Sequence, residues 1–316
     1  MIRLPGLHTE KDAMRELRND IFSHLISQKG ILPSMMRRHS SLGMKIVAWL
    51  TGEKPILVIG GEPASGKSLL MGELTLRYNE LVKPHVDLQL PLISYDRVHY
   101  LFLKRLMEVS IGSAHDFLPE GETHPGARKY ITHILRDVLQ FAVLSLPKNI
   151  PIIFEAPLID HRGEDVVDAL AAWGASAQVF ILHSPAMQSR ILQQEEQRTR
   201  GMSARPPAIR QIHEGLLKQR GITSRSQQAQ DDELMRSWKQ WLGDRDGLVL
   251  SWDPADDEAG LVYTKEILRA NHIPSNPLTP QAINKYTASR IEVVLGELPD
   301  LEAFAIEVKG YRPKFR

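Results

Sequence analysis

The stretch Gly60-Gly61-Glu62-Pro63-Ala64-Ser65-Gly66-Lys67-Ser68-Leu69-Leu70 gathers the groups needed to hold a phosphate. From Gly61 to Ser68 it matches G-x-x-x-x-G-K-[ST] at every fixed position. In such a loop, glycines at Gly61 and Gly66 let backbone N–H groups curl around a phosphate. The loop residues between them, Glu62, Pro63, Ala64 and Ser65, contribute mainly backbone. Lys67 neutralises charge on the β- and γ-phosphates, and the Ser68 hydroxyl is placed to hold Mg²⁺. A helix that begins at this point, running on through Leu69, aims its positive end at the same anion. A chain of this length meets the pattern by accident about once in a hundred. Here it also sits between a buried apolar run and a helical pattern. The loop is expected to bind a nucleoside triphosphate, Gly61 through Leu69 forming the site.

The elements that must position this loop are legible in the apolar pattern. Five short runs stand out: residues 55–60, 91–94, 150–156, 178–184 and 247–252. Several are rich in Val and Ile and do not alternate, as strands buried on both faces should not. Helical patterns lie between them. Ser68 to Val82 carries Leu70, Leu74 and Leu81, and Ala127 to Leu146 carries Ile131, Ile134, Leu135, Val138 and Leu139 on one stripe. Strand alternating with helix predicts an α/β fold: a five-stranded parallel sheet between two helical layers. Three parts are expected: a helical N-terminal extension over 1–50, a core over 51–254, and a helical C-terminal extension over 255–316. Within the core, the polar, proline-broken stretch 198–245 reads as a lid or insertion.

Two further groups could act on a phosphate. Glu155 ends the third run, at the carboxyl edge where open α/β sheets bind ligands. A carboxylate there can hold Mg²⁺ through water or activate an acceptor; a structural ion pair is the plainer alternative. After the fourth run, Ser184 and Pro185 open a helical stretch that carries Arg190, Arg198 and Arg200. Guanidinium groups there can steady the charge on a transferring phosphoryl group, or pair with Glu195 and Glu196. Arg128 and Lys129 stand near the start of the long helix, against its dipole, which hints at an anion nearby.

On the glycine loop above all, the chain resembles the P-loop kinase group of small-molecule phosphotransferases, including zeta-toxin-like and antibiotic phosphotransferase relatives. The resemblance covers roughly residues 54 to 253. It implies a P-loop NTPase fold, ATP and Mg²⁺ as cofactors, and an arginine-rich lid after the fourth strand, to which Arg198 and Arg200 correspond. It also implies an acidic residue after the second strand that binds or deprotonates the acceptor hydroxyl. "LISYD" supplies Asp96 for that role, although Asp96 could equally cap the helix that follows.

Composition narrows the partners. With 39 Lys+Arg against 38 Asp+Glu, no charge bias points to nucleic acid or a membrane surface. With no cysteine, disulfides and thiolate metal sites are excluded. No signal peptide or membrane-length apolar run is evident, so a cytoplasmic location is expected. The expectation is a kinase that moves the γ-phosphoryl group of ATP·Mg²⁺ to a hydroxyl of a small-molecule acceptor. A P-loop ATPase or a nucleotide-binding module acting on a protein partner is the alternative.

Overall fold

The computed structural model describes residues 10–61, 65–86, 88–109, 125–155, 167–168, 170–171, 175–184, 235–243, 245–253, 257–273, 285–298 and 304. Each of the five apolar runs forms a strand: β1 (Ile56–Gly61), β2 (Leu92–Ser94), β3 (Ile152–Glu155), β4 (Ala177–His183) and β5 (Gly247–Ser251). They make one sheet in the order β2-β3-β1-β4-β5, and every pair is parallel. β1 is central, flanked by β3 and β4, and all six of its residues are buried.

The helices are α1 (Glu10–Ser27), α2 (Ile31–Arg38), α3 (Leu42–Leu50), α4 (Lys67–Leu81), α5 (Lys83–Val86), α6 (Tyr95–Val109), α7 (Pro125–Ser145), α8 (Glu258–Ala270) and α9 (Lys285–Glu297). A helical stretch over 235–242 precedes β5. α7 starts two residues earlier than its apolar stripe suggests, with Pro125 at the first position, where its missing N–H is no loss.

Strand order decides which face each helix covers. From β1 to β2 the chain steps toward one edge of the sheet, and the three later crossovers step toward the other edge. Right-handed connections in opposite directions must lie on opposite faces. Among the described residues the first face therefore receives only the β1–β2 crossover, with α4 and the short α5. Its sheet residues Leu57, Ile59, Ile153, Phe180 and Leu182 also need cover, which comes from outside the crossovers. Ile31, Met35, Ile46 and Trp49 of α2 and α3 pack there, together with Leu268 of α8. The second face buries Val58, Ile93, Phe154 and Ile181 against Phe102 of α6, Ile134 and Val138 of α7, Ile291 of α9, and Trp238 and Leu242. The rings of Phe102, Tyr130 and Phe304 cluster with centroids 4.8 to 6.2 Å apart and tie residue 304 to this face.

Residues 1–50 and 255–316 were expected as extensions; their described helices are built into the two faces of the same sheet. Residues 235–242, expected within the lid, form a helix seated on the second face, while 198–234 lie outside the described residues. Among the described residues no helix is long and apolar enough to cross a membrane.

Two polar knots fix the first-face helices. In one, Glu73 of α4 accepts from the Ile31 amide at 3.1 Å, the Leu32 amide at 2.6 Å and the Thr264 hydroxyl at 2.5 Å. A carboxylate thus satisfies two orphan donors at the start of α2 and ties α2, α4 and α8 together. Burial pushes the Glu73 carboxyl up from its ordinary value, against the Thr264 and backbone hydrogen bonds and the Arg77 charge. In the other, Lys45 of α3 and Lys54 before β1 both pair with Asp246, just ahead of β5. The Trp49 indole also donates to the Ile152 carbonyl at 3.2 Å, so α3 is anchored at the amino edge of the sheet.

Partial burial pushes the Asp246 carboxyl up, but hydrogen bonds and charge from Lys45 and Lys54 outweigh it and hold it below its ordinary 3.8. Ionised Asp246 therefore contributes stability above that pH, and the contribution fades as pH falls through the lower folded value. Asp246→Asn is expected to lose about 1 kcal/mol near neutral pH, the scale of a partly exposed pair. Urea unfolding from neutral pH downward should give curves for the two proteins that converge below about pH 4. A gap that persists unchanged in acid would contradict the assignment.

Candidate functional site

The carboxyl edge of the sheet brings together most of the residues singled out by sequence. Gly61 ends β1, Ser94 ends β2 and Glu155 ends β3. Glu155 is in register with Ile59 on one side and with Ser94 on the other, and Gly61 is in register with Leu182 of β4. Alternation along β3 puts Glu155 on the same sheet face as Ile153, which is the face α4 covers. The carboxylate and the start of α4 therefore share one face and one edge.

At its two described glycines, Gly61 and Gly66, the segment between β1 and α4 has the backbone those residues imply. Gly61 has φ 127°, and a Cβ on it would lie 2.2 Å from the Leu182 carbonyl oxygen, so only glycine fits between β1 and β4. Gly66 has φ 94° and precedes α4 as its N-cap, without a side chain to cap with. Its carbonyl accepts from the Leu69 and Leu70 amides, at 3.0 and 3.1 Å, which opens the helix. Earlier amides of a first turn have no carbonyl within the helix to bond. No acidic residue stands in that turn, and Lys67 adds positive charge to an end already positive. Its ammonium folds back toward β1 and donates to the Gly61 carbonyl at 3.0 Å. Lys67 and Ser68 are half-buried and Leu69 is buried. The Ser65 hydroxyl, in a residue 1% exposed, has no hydrogen-bond partner among the described residues. The arrangement suits an anion: positive charge, first-turn amides with no carbonyl within the helix, and a hydroxyl without a partner among the described residues, all at one helix start. Glu62, Pro63 and Ala64, the middle of the motif, lie outside the described residues.

Beside the loop, the buried Glu155 takes a hydrogen bond on Oε2 from the Ser94 hydroxyl at 2.8 Å. Ser94 in turn accepts from the Arg97 amide at 3.4 Å, which is the N-cap arrangement. This settles what caps α6. The helix begins at Tyr95, so Asp96 is its second residue and not its cap; Ser94 has that place. Asp96 thus stands two residues beyond the carboxyl end of β2, next to the strand that carries Glu155. Capping was the alternative that the sequence left open for Asp96 beside its acceptor role; Ser94 takes that place, and serine is as good a cap. The Ser94–Glu155 bond spans 61 residues, and no local spacing could reveal it.

On the other side of β1, His183 ends β4 and packs edge-on against Trp238, with ring centroids 5.7 Å apart. It is a core residue, as its place in an apolar run suggested. The Ser184 hydroxyl, wholly buried, has no hydrogen-bond partner among the described residues. Arg190, Arg198 and Arg200 lie outside the described residues, as does the first part of the 123–130 loop; Arg128 and Lys129 fall in the first turns of α7.

No protein-family model, curated protein or solved structure matches the chain. The functional reading rests on the residues and their geometry.

The close approach at Gly61 gives a direct test of the loop's backbone. Gly61→Ala is expected to lower stability by about 2 kcal/mol or more, because left-handed backbone strain adds to a backbone clash. A thermal melt compares the two proteins, and an unchanged midpoint would mean that β1 and β4 do not meet as closely as described.

Proposed function

We propose that the protein is a P-loop kinase that transfers the γ-phosphoryl group of ATP to a hydroxyl of a small-molecule acceptor. The observation that carries the reading is the Gly61–Ser68 loop. The motif joins the central strand to a helix that has no acidic residue in its first turn, a glycine N-cap and a lysine bonded back to the Gly61 carbonyl. Local sequence rules would place a cap and an acid there if the helix had only itself to stabilise.

In this reading the amides of the loop and the start of α4 hold the β-phosphate. Lys67, released from the Gly61 carbonyl, bridges the β- and γ-phosphates. The donor set also fits Mg²⁺: a hydroxyl at Ser68 and a buried carboxylate at Glu155 on the same face and edge, with the remaining positions left to phosphate and water. Bound there, the ion would neutralise charge on the phosphates. The acceptor oxygen attacks the γ-phosphorus in line; its bond to phosphorus forms as the bond to the β,γ-bridging oxygen breaks, and ADP leaves. The acceptor proton passes to a carboxylate, for which Asp96 on α6 is the assigned base and Glu155 serves the metal. Arg198 and Arg200 are proposed to reach the transferring group from the lid.

Two experiments test the reading. Metabolite pools are screened for acceptor-stimulated formation of ADP, and the active fraction is re-assayed with Lys67→Ala and Ser68→Ala. Loss of a negative-charge stabiliser costs about a hundredfold or more in turnover, so both variants should fall by at least that much while melting like the parent. Near-native turnover in a folded Lys67→Ala protein would overturn the kinase reading. ADP release that no acceptor stimulates would favour the ATPase alternative.

A further inference from the structure

We infer that Ser94 is a positioning residue that sets the Glu155 carboxylate for the divalent cation of a bound nucleotide. The inference rests on the nucleotide reading above. Ser94 is fully buried at the end of β2, directly beside Glu155 in the adjacent parallel strand. Its hydroxyl makes two bonds of opposite sense. A backbone N–H can only donate, so the oxygen accepts at the Arg97 amide, 3.4 Å away. The hydroxyl's one proton is then directed to Glu155 Oε2, 2.8 Å away.

The second bond matters because the last torsion of a glutamate is broad and, left alone, fixes no carboxylate plane. A buried donor held by a helix cap fixes it. Groups that orient a metal-binding carboxylate from behind have large effects on the metal without touching it. The first bond matters because it makes Ser94 the cap of α6, whose first residue is Tyr95, and so holds the donor in place.

The test uses the full chain and needs no acceptor. The affinity of a non-hydrolysable ATP analogue is measured with Mg²⁺ and with chelator for the parent, Ser94→Ala, Ser94→Thr, Glu155→Gln and the Ser94→Ala/Glu155→Gln double variant. Ser94→Ala should lower the Mg²⁺-dependent gain in affinity about tenfold, the lower end for loss of a group behind a metal ligand, and leave the metal-free affinity unchanged. Ser94→Thr should recover part of the gain. In the Glu155→Gln background Ser94→Ala should have no further effect on it, because the two residues act as one unit. Should Ser94→Ala not fold, Ser94→Cys, which is a weaker donor of similar size, carries the same expectation. An unchanged Mg²⁺ gain in Ser94→Ala overturns the inference. So does an equal loss with and without Mg²⁺, which would mark Ser94 as a helix cap only. If the parent binds no analogue, or binds it with no Mg²⁺ gain, the nucleotide reading itself fails and the inference with it.

Discussion

A parallel sheet cannot cover its own faces, and most of this structure follows from that constraint. With the order β2-β3-β1-β4-β5, three crossovers fall on one face and a single one, through α4, falls on the other. The half-bare face would expose Leu57, Phe180, Leu182 and Leu250 to water. Burying such side chains is worth roughly 1.5–3 kcal/mol each, enough to recruit helices from both ends of the chain. α2, α3 and α8 fill the gap around α4, and their packing creates a new difficulty, since the start of α2 is driven into the interior with its amides unsatisfied. Glu73 answers it. Its carboxylate is costly to bury, which is why its proton is held more tightly than usual, but three donors converge on it.

The same constraint separates stability from chemistry. At the amino edge of the sheet, Asp246 with Lys45 and Lys54, and the Trp49 indole on the Ile152 carbonyl, bind α3 to the strands. The carboxyl edge is where β1, β2 and β3 release Gly61, Ser94 and Glu155. The crossovers after β1 and after its neighbour β4 run in opposite directions along the sheet, and the strand ends at such a point are the usual place for a ligand. The glycine loop stands at that point because it continues the central strand. α4 links the two edges: its first residue is Lys67 and two turns on it carries Glu73, so the helix that meets the proposed phosphate is also the one held by the buried carboxylate.

How much of this was written locally in the chain varies with the distance over which it acts. The five strands were legible because each is a short, mostly apolar run without alternation, several of them rich in Val and Ile. The loop was legible because its glycines, lysine and serine occupy fixed spacing. The α4 helix and its boundaries followed from apolar period and a glycine at its start. What could not be read was anything set by tertiary partners. Glu73 looks like any glutamate on an amphipathic helix until α2 and α8 close over it. Ser94 looks like an ordinary strand-end serine until Glu155 arrives beside it from the neighbouring strand. The role of residues 235–242 depended on Trp238 and Leu242 finding the second face, which a polar neighbourhood concealed. Strand order, too, was open, since alternation of strand and helix gives a parallel sheet without saying which strand is central.

The account stands on the claim that the Gly61–Ser68 loop holds the terminal phosphates of a nucleotide. Calorimetric titration of the intact protein with ATP, ADP and AMP in the presence of Mg²⁺ tests it most directly. The account predicts that affinity depends on the β-phosphate, so ATP and ADP bind and AMP, which keeps the same base and sugar, binds far more weakly. Equal affinity for all three, or no binding of any, would contradict it.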